Sequence, residues 1–180
     1  MSPTTYATDA ATLGTGLLLA RLILGVLMVA HGGQKLFGWL GGYGLAGTAG
    51  FFEQLGFRPG RLFVVTASLS EVVSGVLIAL GLFGPVGPAL LLSVMIVAAI
   101  SVHWKNGVFA TANGIELPLL YAAGAVALGF TGPGPFSLDA VLQLDQTWTP
   151  ALKATVLAVG GVAGGLNLLA RRSVAVAATA

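Results

Sequence analysis

Seven ionisable side chains stand within or at the ends of the long apolar stretches of this 180-residue chain: Arg21, His31, Lys35, Glu71, His103, Lys105 and Glu116. A charge at membrane depth is costly unless it is paired or hydrated, so each of these residues is a candidate for function. Together they offer imidazoles, carboxylates and cationic groups. Such a set can exchange protons with a small molecule and hold its oxygen atoms by hydrogen bonds.

Helix geometry brings most of these groups to one end of a helical bundle. At about 1.5 Å per residue, His31 and Lys35 lie one turn apart on one face of the first apolar segment. His103 ends the third segment at a similar depth, and Glu116 opens the fourth there. These spacings predict a polar pocket near one membrane face.

Glu71 and Arg21 lie at other depths. Glu71 stands nine residues inside the second apolar segment, which begins at Leu62, and this count puts it about level with Met28. Arg21 is about 15 Å from His31 along the first segment, toward the opposite face. Small or polar residues flank Glu71 at helical spacing and predict that it faces the bundle interior: Ser68, Ser74 and Gly75.

Several kinds of chemistry fit this set of residues. Imidazole and carboxylate can donate to a quinone carbonyl and supply the protons that its two-electron reduction consumes. Proton or ion conduction is a second possibility. In a structural interpretation the carboxylates are neutralised by nearby cations, Glu71 by Arg21 or His31 and Glu116 by Lys35 or Lys105. A bis-histidine haem between His31 and His103, or a metal site that adds both glutamates, is less favoured.

The elements that position these residues are apolar blocks of membrane-spanning length. Hydrophobic residues make up 56% of the chain and charged residues 8%, which is far from the composition of a soluble domain. A span needs about 20 mostly apolar residues. Five segments approach that length and predict an all-α transmembrane bundle: 14–37, 62–83, 86–104, 115–130 and 151–170.

The segments between the predicted spans indicate the topology of the bundle. The segment 41–61 is too polar to cross but carries several phenylalanines, so we expect a short helix lying on the membrane. Pro85 and Pro88 predict a tight turn and an antiparallel hairpin of spans two and three. If all five segments cross, six basic residues share one face: Lys35, Arg58, Arg61, Lys105, Arg171 and Arg172. The positive-inside rule then predicts an outer N-terminus and a cytoplasmic C-terminus.

The absence of cysteine and the scatter of the basic residues limit the chemistry and the partners that the chain can have. The chain has no cysteine, which excludes thiolate and Cys-ligated iron–sulfur chemistry within it. Its basic residues are scattered, so no nucleic-acid partner is expected. The run GGVAGG gives two small-xxx-small pairs, Gly160 with Gly164 and Gly161 with Gly165, which fit close packing within the chain or self-association into a homo-oligomer.

Five separated motifs resemble one family. They are RLILGVLMVAHGGQKLFGWLGGYG (21–44), GTAGFFEQLG (47–56), Glu71 in span two, NGIELPLL (113–120) and GPGPFSLD (132–139). In this order they resemble the DoxX family of bacterial inner-membrane proteins, over about residues 14–142. The chain is thus divided into an N-terminal tail (1–13), a DoxX-like bundle (14–142), an additional fifth span (143–172) and a tail (173–180).

The resemblance implies a small bundle linked to membrane redox chemistry, since the family is named after a subunit of thiosulfate:quinone oxidoreductase and relatives are associated with oxidative stress. It implies a quinone-linked oxidoreductase subunit in a bilayer, with a redox partner that supplies electrons. A non-catalytic anchor or assembly factor and a small transporter or channel are the alternatives. The resemblance extends to Arg21, His31, Gly32, Lys35, Glu71 and Glu116, while His103 is added from its depth.

The expected roles follow from this resemblance. His31 and Glu71 would bind the quinone head group and relay protons, and Glu116 and His103 would complete the proton path. Arg21 and Lys35 would set the local potential beside the bound quinone. No residue is assigned as a metal ligand.

Overall fold

The computed structural model describes residues 3–172, with side chains from residue 10 onward, so the predicted tail at 173–180 lies outside the described residues. The described chain is helical, with no strand. Seven α-helices follow one another: α1 (Pro3–Phe37), α2 (Gly44–Gln54), α3 (Gly60–Leu80), α4 (Val86–Ala98), α5 (Glu116–Thr131), α6 (Leu138–Val141) and α7 (Pro150–Leu169). The predicted all-α bundle is confirmed.

Four helical stretches are long and apolar enough to cross a membrane: Ala10–Phe37, Gly60–Leu80, Val86–Asn106 and Pro150–Leu169. The third extends α4 through a π-helical turn at Ala99–His103 and a 3₁₀ turn at Trp104–Asn106. Helix α5 is also apolar, but its 16 residues reach only about 24 Å. The chain is therefore a multi-pass membrane protein whose fourth predicted segment is short.

Contacts at the two ends show how the helices run. At the end of the bundle that carries α2, called the α2 end, the Arg172 amide donates to Gly56 O over 2.9 Å. At the opposite end, which carries α6 and is called the α6 end, Lys153 Nζ donates to Phe130 O over 3.2 Å. With the short α5 included, the chain passes five times between these ends. The basic residues are distributed between the two ends as the sequence predicted.

Helices α1 and α3 pack with their backbones in contact because glycines face each other. A Cβ atom on Gly25 would lie 2.5 Å from Gly75 O, and one on Gly32 would lie 2.7 Å from Ser68 O. Small residues permit this close approach of helix backbones in a membrane. The register that results puts Glu71 nearly level with His31, about one turn nearer the α2 end than the sequence count suggested.

The core lies where α1, α3, α4 and α5 meet, and its buried residues are Met28, Ile78, Leu91, Met95, Ala125 and Leu128. Apolar residues also cover the outside of the helices. On α1, Leu19, Ile23 and Val26 are 55%, 62% and 63% exposed. Such a surface suits hydrocarbon as its solvent, as the composition predicted.

The glycine strip of α7 packs within the chain along one of its two edges. A Cβ on Gly160 would lie 2.4 Å from Ala89 O, and one on Gly164 would lie 2.8 Å from Ser93 O, both on α4. A Cβ on Gly165 meets nothing within 4 Å. The pair Gly160 and Gly164 therefore holds α7 against α4, while Gly165 has no close neighbour in the described chain.

We expect Gly160→Ala to destabilise the protein by about 1–3 kcal/mol, because the added methyl group must push α7 away from the α4 backbone. Gly165→Ala is the matched control, and it should be neutral or slightly stabilising because alanine has the higher helix propensity. Thermal unfolding of both purified variants in detergent measures the difference. Equal effects of the two substitutions would contradict packing of this strip within the chain.

Candidate functional site

A cavity of about 720 Å³ opens at the α2 end, between α1, α3, α4 and α5, with the α2 segment along one side. Most of its wall is apolar. Helix α2 contributes Phe51 and Phe52 and its C-cap residue Leu55, so the helix predicted to lie on the membrane also forms a wall of the site. The cavity is therefore amphiphilic, and it lies near one end of the bundle.

Four of the predicted site residues meet in this cavity: His31, Lys35, Glu71 and His103. The structure thus has a polar pocket at one end with both predicted imidazoles and one of the two predicted carboxylates. Sequence reasoning missed several other polar residues of the wall, namely Gln34, Ser101, Tyr121 and Asn167. Spacing could have indicated Gln34, which lies one helical turn from His31. None of the four predicted residues in the cavity lies on the helices that carry Tyr121 and Asn167.

A partly buried ion pair forms one wall of the cavity. Lys35 Nζ donates to Glu71 Oε1, and the two side chains are 27% and 3% exposed. The pairing of Glu71 with Arg21 or His31, expected in the structural interpretation, is therefore wrong. Glu71 Oε2 is buried without a hydrogen-bond partner among the described residues. One oxygen of this carboxylate therefore has a hydrogen-bonding capacity that no described residue uses.

Two aromatic rings meet beside the ion pair. The His31 and Tyr121 ring centroids are 6.0 Å apart, with the planes at 87° to each other. Such edge-to-face contact fixes both rings without using the phenol hydroxyl or the imidazole nitrogens. The pair thus offers further hydrogen-bonding groups next to an apolar wall.

His103 lies in the π-helical turn that ends α4. Its Nδ1 is 2.8 Å from Asn113 O. A carbonyl oxygen can only accept, so Nδ1 carries the hydrogen and Nε2 of the neutral ring is an acceptor. Ser101, in the same turn, is 8% exposed, and its Oγ has no hydrogen-bond partner within the described part of the chain. π-Helical turns recur at functional sites because they re-aim side chains, and here the turn directs three residues to the cavity.

Glu116 lies outside the cavity. It stands in the first turn of α5, and its Oε2 accepts from the Ala110 amide over 2.7 Å. The loop between α4 and α5 therefore supplies its partner, and the expected pairing with Lys35 or Lys105 is wrong. A carboxylate at a helix N-terminus is favoured by the helix dipole. The structure thus places Glu116 in a stabilising position at the start of α5.

Arg21 also lies away from the cavity, at the α6 end. It is 2% exposed, and its Nη2 donates to Phe136 O over 2.5 Å. The expected separation of Arg21 from the other ionisable residues is confirmed. The negative charge that acts on the Arg21 guanidinium is the carboxylate of Asp139.

Asp139 organises the α6 end and was not among the candidate residues. It is fully buried, and its carboxylate accepts from the amides of Phe83 and Gly84 over 2.8 and 2.7 Å. Its Oδ2 also accepts from Trp148 Nε1 over 3.0 Å. One side chain therefore ties the α3–α4 turn to the segment before α7. The motif GPGPFSLD contains this aspartate, but spacing does not show what it binds.

Metal chemistry at the cavity would need convergent ligands. Among residues 3–172, no three His, Asp or Glu side chains lie close enough to hold a metal ion together. The four-residue metal site considered from the sequence is therefore not assembled, since Glu116 points to its own loop.

Comparison with known proteins agrees with this geometry. The family model described as DoxX matches residues 16–104, which include α2, α3, α4 with its π-helical turn, and the Lys35–Glu71 pair. The motifs at 113–120 and 132–139 lie beyond the match. No curated protein and no solved structure matches the chain. Residues 16–104 are therefore a DoxX domain, and the chain that contains it is a multi-pass membrane protein.

Proposed function

We propose that the cavity at the α2 end binds the head group of a membrane quinone, and that the chain is the membrane subunit of a quinone-linked oxidoreductase. The observation that carries this proposal is the Lys35–Glu71 pair set in a largely apolar cavity that also contains two imidazoles. A quinone needs this combination, because its ring and tail are apolar and its oxygens need partners. The DoxX domain supports the proposal as a family resemblance.

The polar groups of the cavity fit both oxidation states of such a ligand. Lys35 and the Tyr121 hydroxyl are donors for carbonyl oxygens. The Glu71 carboxylate and His103 Nε2 are acceptors for hydroxyl groups. A bound quinone would supply two-electron redox chemistry with uptake of two protons. Glu71 and the imidazoles can hold or release protons at its edge.

The source of electrons must lie outside this chain in the proposal. The sequence has no cysteine for a thiol relay or a thiolate-ligated cluster. We therefore propose a redox partner subunit, or a reduced small molecule, as the donor. By the positive-inside rule, the α2 end with its basic residues would face the cytoplasm of a bacterial cell, and the donor would approach from that side.

Binding of a short-tailed quinone tests the proposal. Purified protein in detergent would be titrated with decylubiquinone and with a short-tailed menaquinone, and binding followed by the quenching of tryptophan fluorescence. We expect Glu71→Gln and His31→Ala to weaken binding at least about tenfold, since each removes a polar partner in an apolar site. Glu116→Gln is the matched control, because this carboxylate lies outside the cavity.

Two results would count against quinone binding at this site. One is equal affinity of folded Glu71→Gln, His31→Ala and the parent protein. The other is unchanged quinone-dependent turnover of the assembled complex with these variants, which is the result expected of a non-catalytic anchor. Ion or proton flux through the purified protein in liposomes would favour a transporter instead.

A further inference from the structure

A second groove lies beside the cavity and carries only positive charge. Its volume is about 610 Å³, and its three charged lining residues are Lys105, Arg171 and Arg172. No aspartate or glutamate contributes to its wall. Three cations converging without a counter-ion within the described chain indicate that the groove is built for an anionic ligand.

Most of the charge in this groove is not used within the described chain. Arg171 Nε donates to Leu55 O over 2.9 Å, and its guanidinium lies 5.8 Å from the centre of the Phe57 ring. These contacts fix Arg171 while leaving its terminal nitrogens free. The side chains of Lys105 and Arg172 form no ion pair within residues 3–172. Lys105 and Arg172, without an ion-pair partner among the described residues, and the fixed Arg171 guanidinium can thus act on the same ligand.

The surroundings of the groove point to a membrane lipid as the source of that anion. Trp104, which is 67% exposed, lines the groove, and an indole is favoured at the membrane–water interface. Ile100 of the π-helical turn and Leu168 of α7 give the groove an apolar side. An acyl chain can lie there while the phosphate meets the basic residues. A free phosphate would use the cations and leave this apolar side uncovered.

We infer that the groove between the ends of α2, α4 and α7 binds the phosphate group of an anionic phospholipid. Leu55 and Ser101 line both this groove and the large cavity, so the lipid would sit at the border between the two. The inference depends on charge and position at the membrane interface. It holds whether or not the large cavity binds a quinone.

Native mass spectrometry of the full-length protein tests this site. The protein would be released from detergent with dioleoylphosphatidylglycerol or with the zwitterionic dioleoylphosphatidylcholine, and lipid-bound fractions compared. We expect the phosphatidylglycerol complex to dominate in the parent protein. Lys105→Gln with Arg172→Gln should weaken it by about 10- to 100-fold, from about 1 kcal/mol per basic residue near a membrane surface. This double variant leaves the Arg171 bond to Leu55 in place.

A matched control removes charge from the same end of the bundle but outside the groove. Arg58→Gln with Arg61→Gln lowers the net charge equally, and neither residue lines the groove. If this control loses as much lipid as the groove variant, general attraction explains binding and the site is refuted. Equal binding of the two lipids would also refute it.

Two further measurements distinguish a lipid phosphate from inorganic phosphate and from an acidic protein partner. Inorganic phosphate at millimolar concentration would be tested for competition with the lipid and for a shift of the thermal midpoint. Stabilisation by phosphate alone, without retained phosphatidylglycerol, would overturn the lipid assignment. So would a groove variant that keeps its lipid but loses a soluble acidic partner in a pull-down, because the groove would then be a protein-docking surface.

Discussion

Lys35→Met is expected to destabilise the protein by about 3–5 kcal/mol, because it leaves the Glu71 carboxylate buried without its partner. The effect should be large since Glu71 is only 2% exposed and its second oxygen already accepts no hydrogen bond from residues 3–172. Unfolding of the purified variant in detergent, by heat or by titration with dodecyl sulfate, measures the change.

The double variant Lys35→Met with Glu71→Met separates stability from function. Replacing both members of a buried ion pair by apolar residues of similar volume is often neutral or stabilising. We therefore expect the double variant to recover most of the stability that Lys35→Met loses. Under the proposed function it should still fail to bind decylubiquinone. Recovery of both stability and quinone binding would show that the pair serves only to hold α1 against α3.

The sequence predicted the helices well because bilayer length and apolar composition determine them. Helix α3 was expected at 62–83 and is found at Gly60–Leu80, and α7 was expected at 151–170 and is found at Pro150–Leu169. The helix within 41–61 was also expected and is α2. Such predictions need no knowledge of the register in which the helices pack.

The pairing of charges could not be predicted because it depends on the register between neighbouring helices. The contacts of Gly25 with Gly75 and of Gly32 with Ser68 fix the α1–α3 register. Counting residues from the expected start of the second span missed this register by about one turn, or about 5 Å. That difference is enough to exchange Lys35 for another partner of Glu71. The contact between Glu116 and Ala110 was missed for a related reason, since it depends on the path of an irregular loop.

The shape of the cavity was also beyond sequence patterning. It needs the π-helical turn at Ala99–His103, which has no signature in an apolar run, and it needs α2 to fold back over α3. Tyr121 and Asn167 reach the site from helices whose rotation no motif defines. Placing ionisable residues by depth found the correct end of the bundle, and packing determined which of them meet.

At the α6 end, by contrast, we expect substitution of Asp139 to destabilise the protein strongly while leaving the cavity unchanged. Asp139→Ala removes the acceptor for the amides of Phe83 and Gly84 and for Trp148 Nε1, and it removes the charge that faces Arg21. Buried donors without an acceptor cost about 1–3 kcal/mol each, so we expect a total loss of at least about 4 kcal/mol. Asp139→Asn should lose less, because its amide oxygen still accepts.

Asp145 supplies the control for this experiment, since it is an exposed aspartate in the same connection between α5 and α7. Asp145→Ala should change the free energy of unfolding by no more than about 0.5 kcal/mol. Thermal unfolding in detergent compares the three variants. Quinone affinity should be unchanged in whatever fraction of Asp139→Asn is folded, because the two ends of the bundle share no contact residues and distant sites act independently. A parallel fall in affinity would instead couple Arg21 and Asp139 to the cavity, in the way that the sequence-based role for Arg21 required.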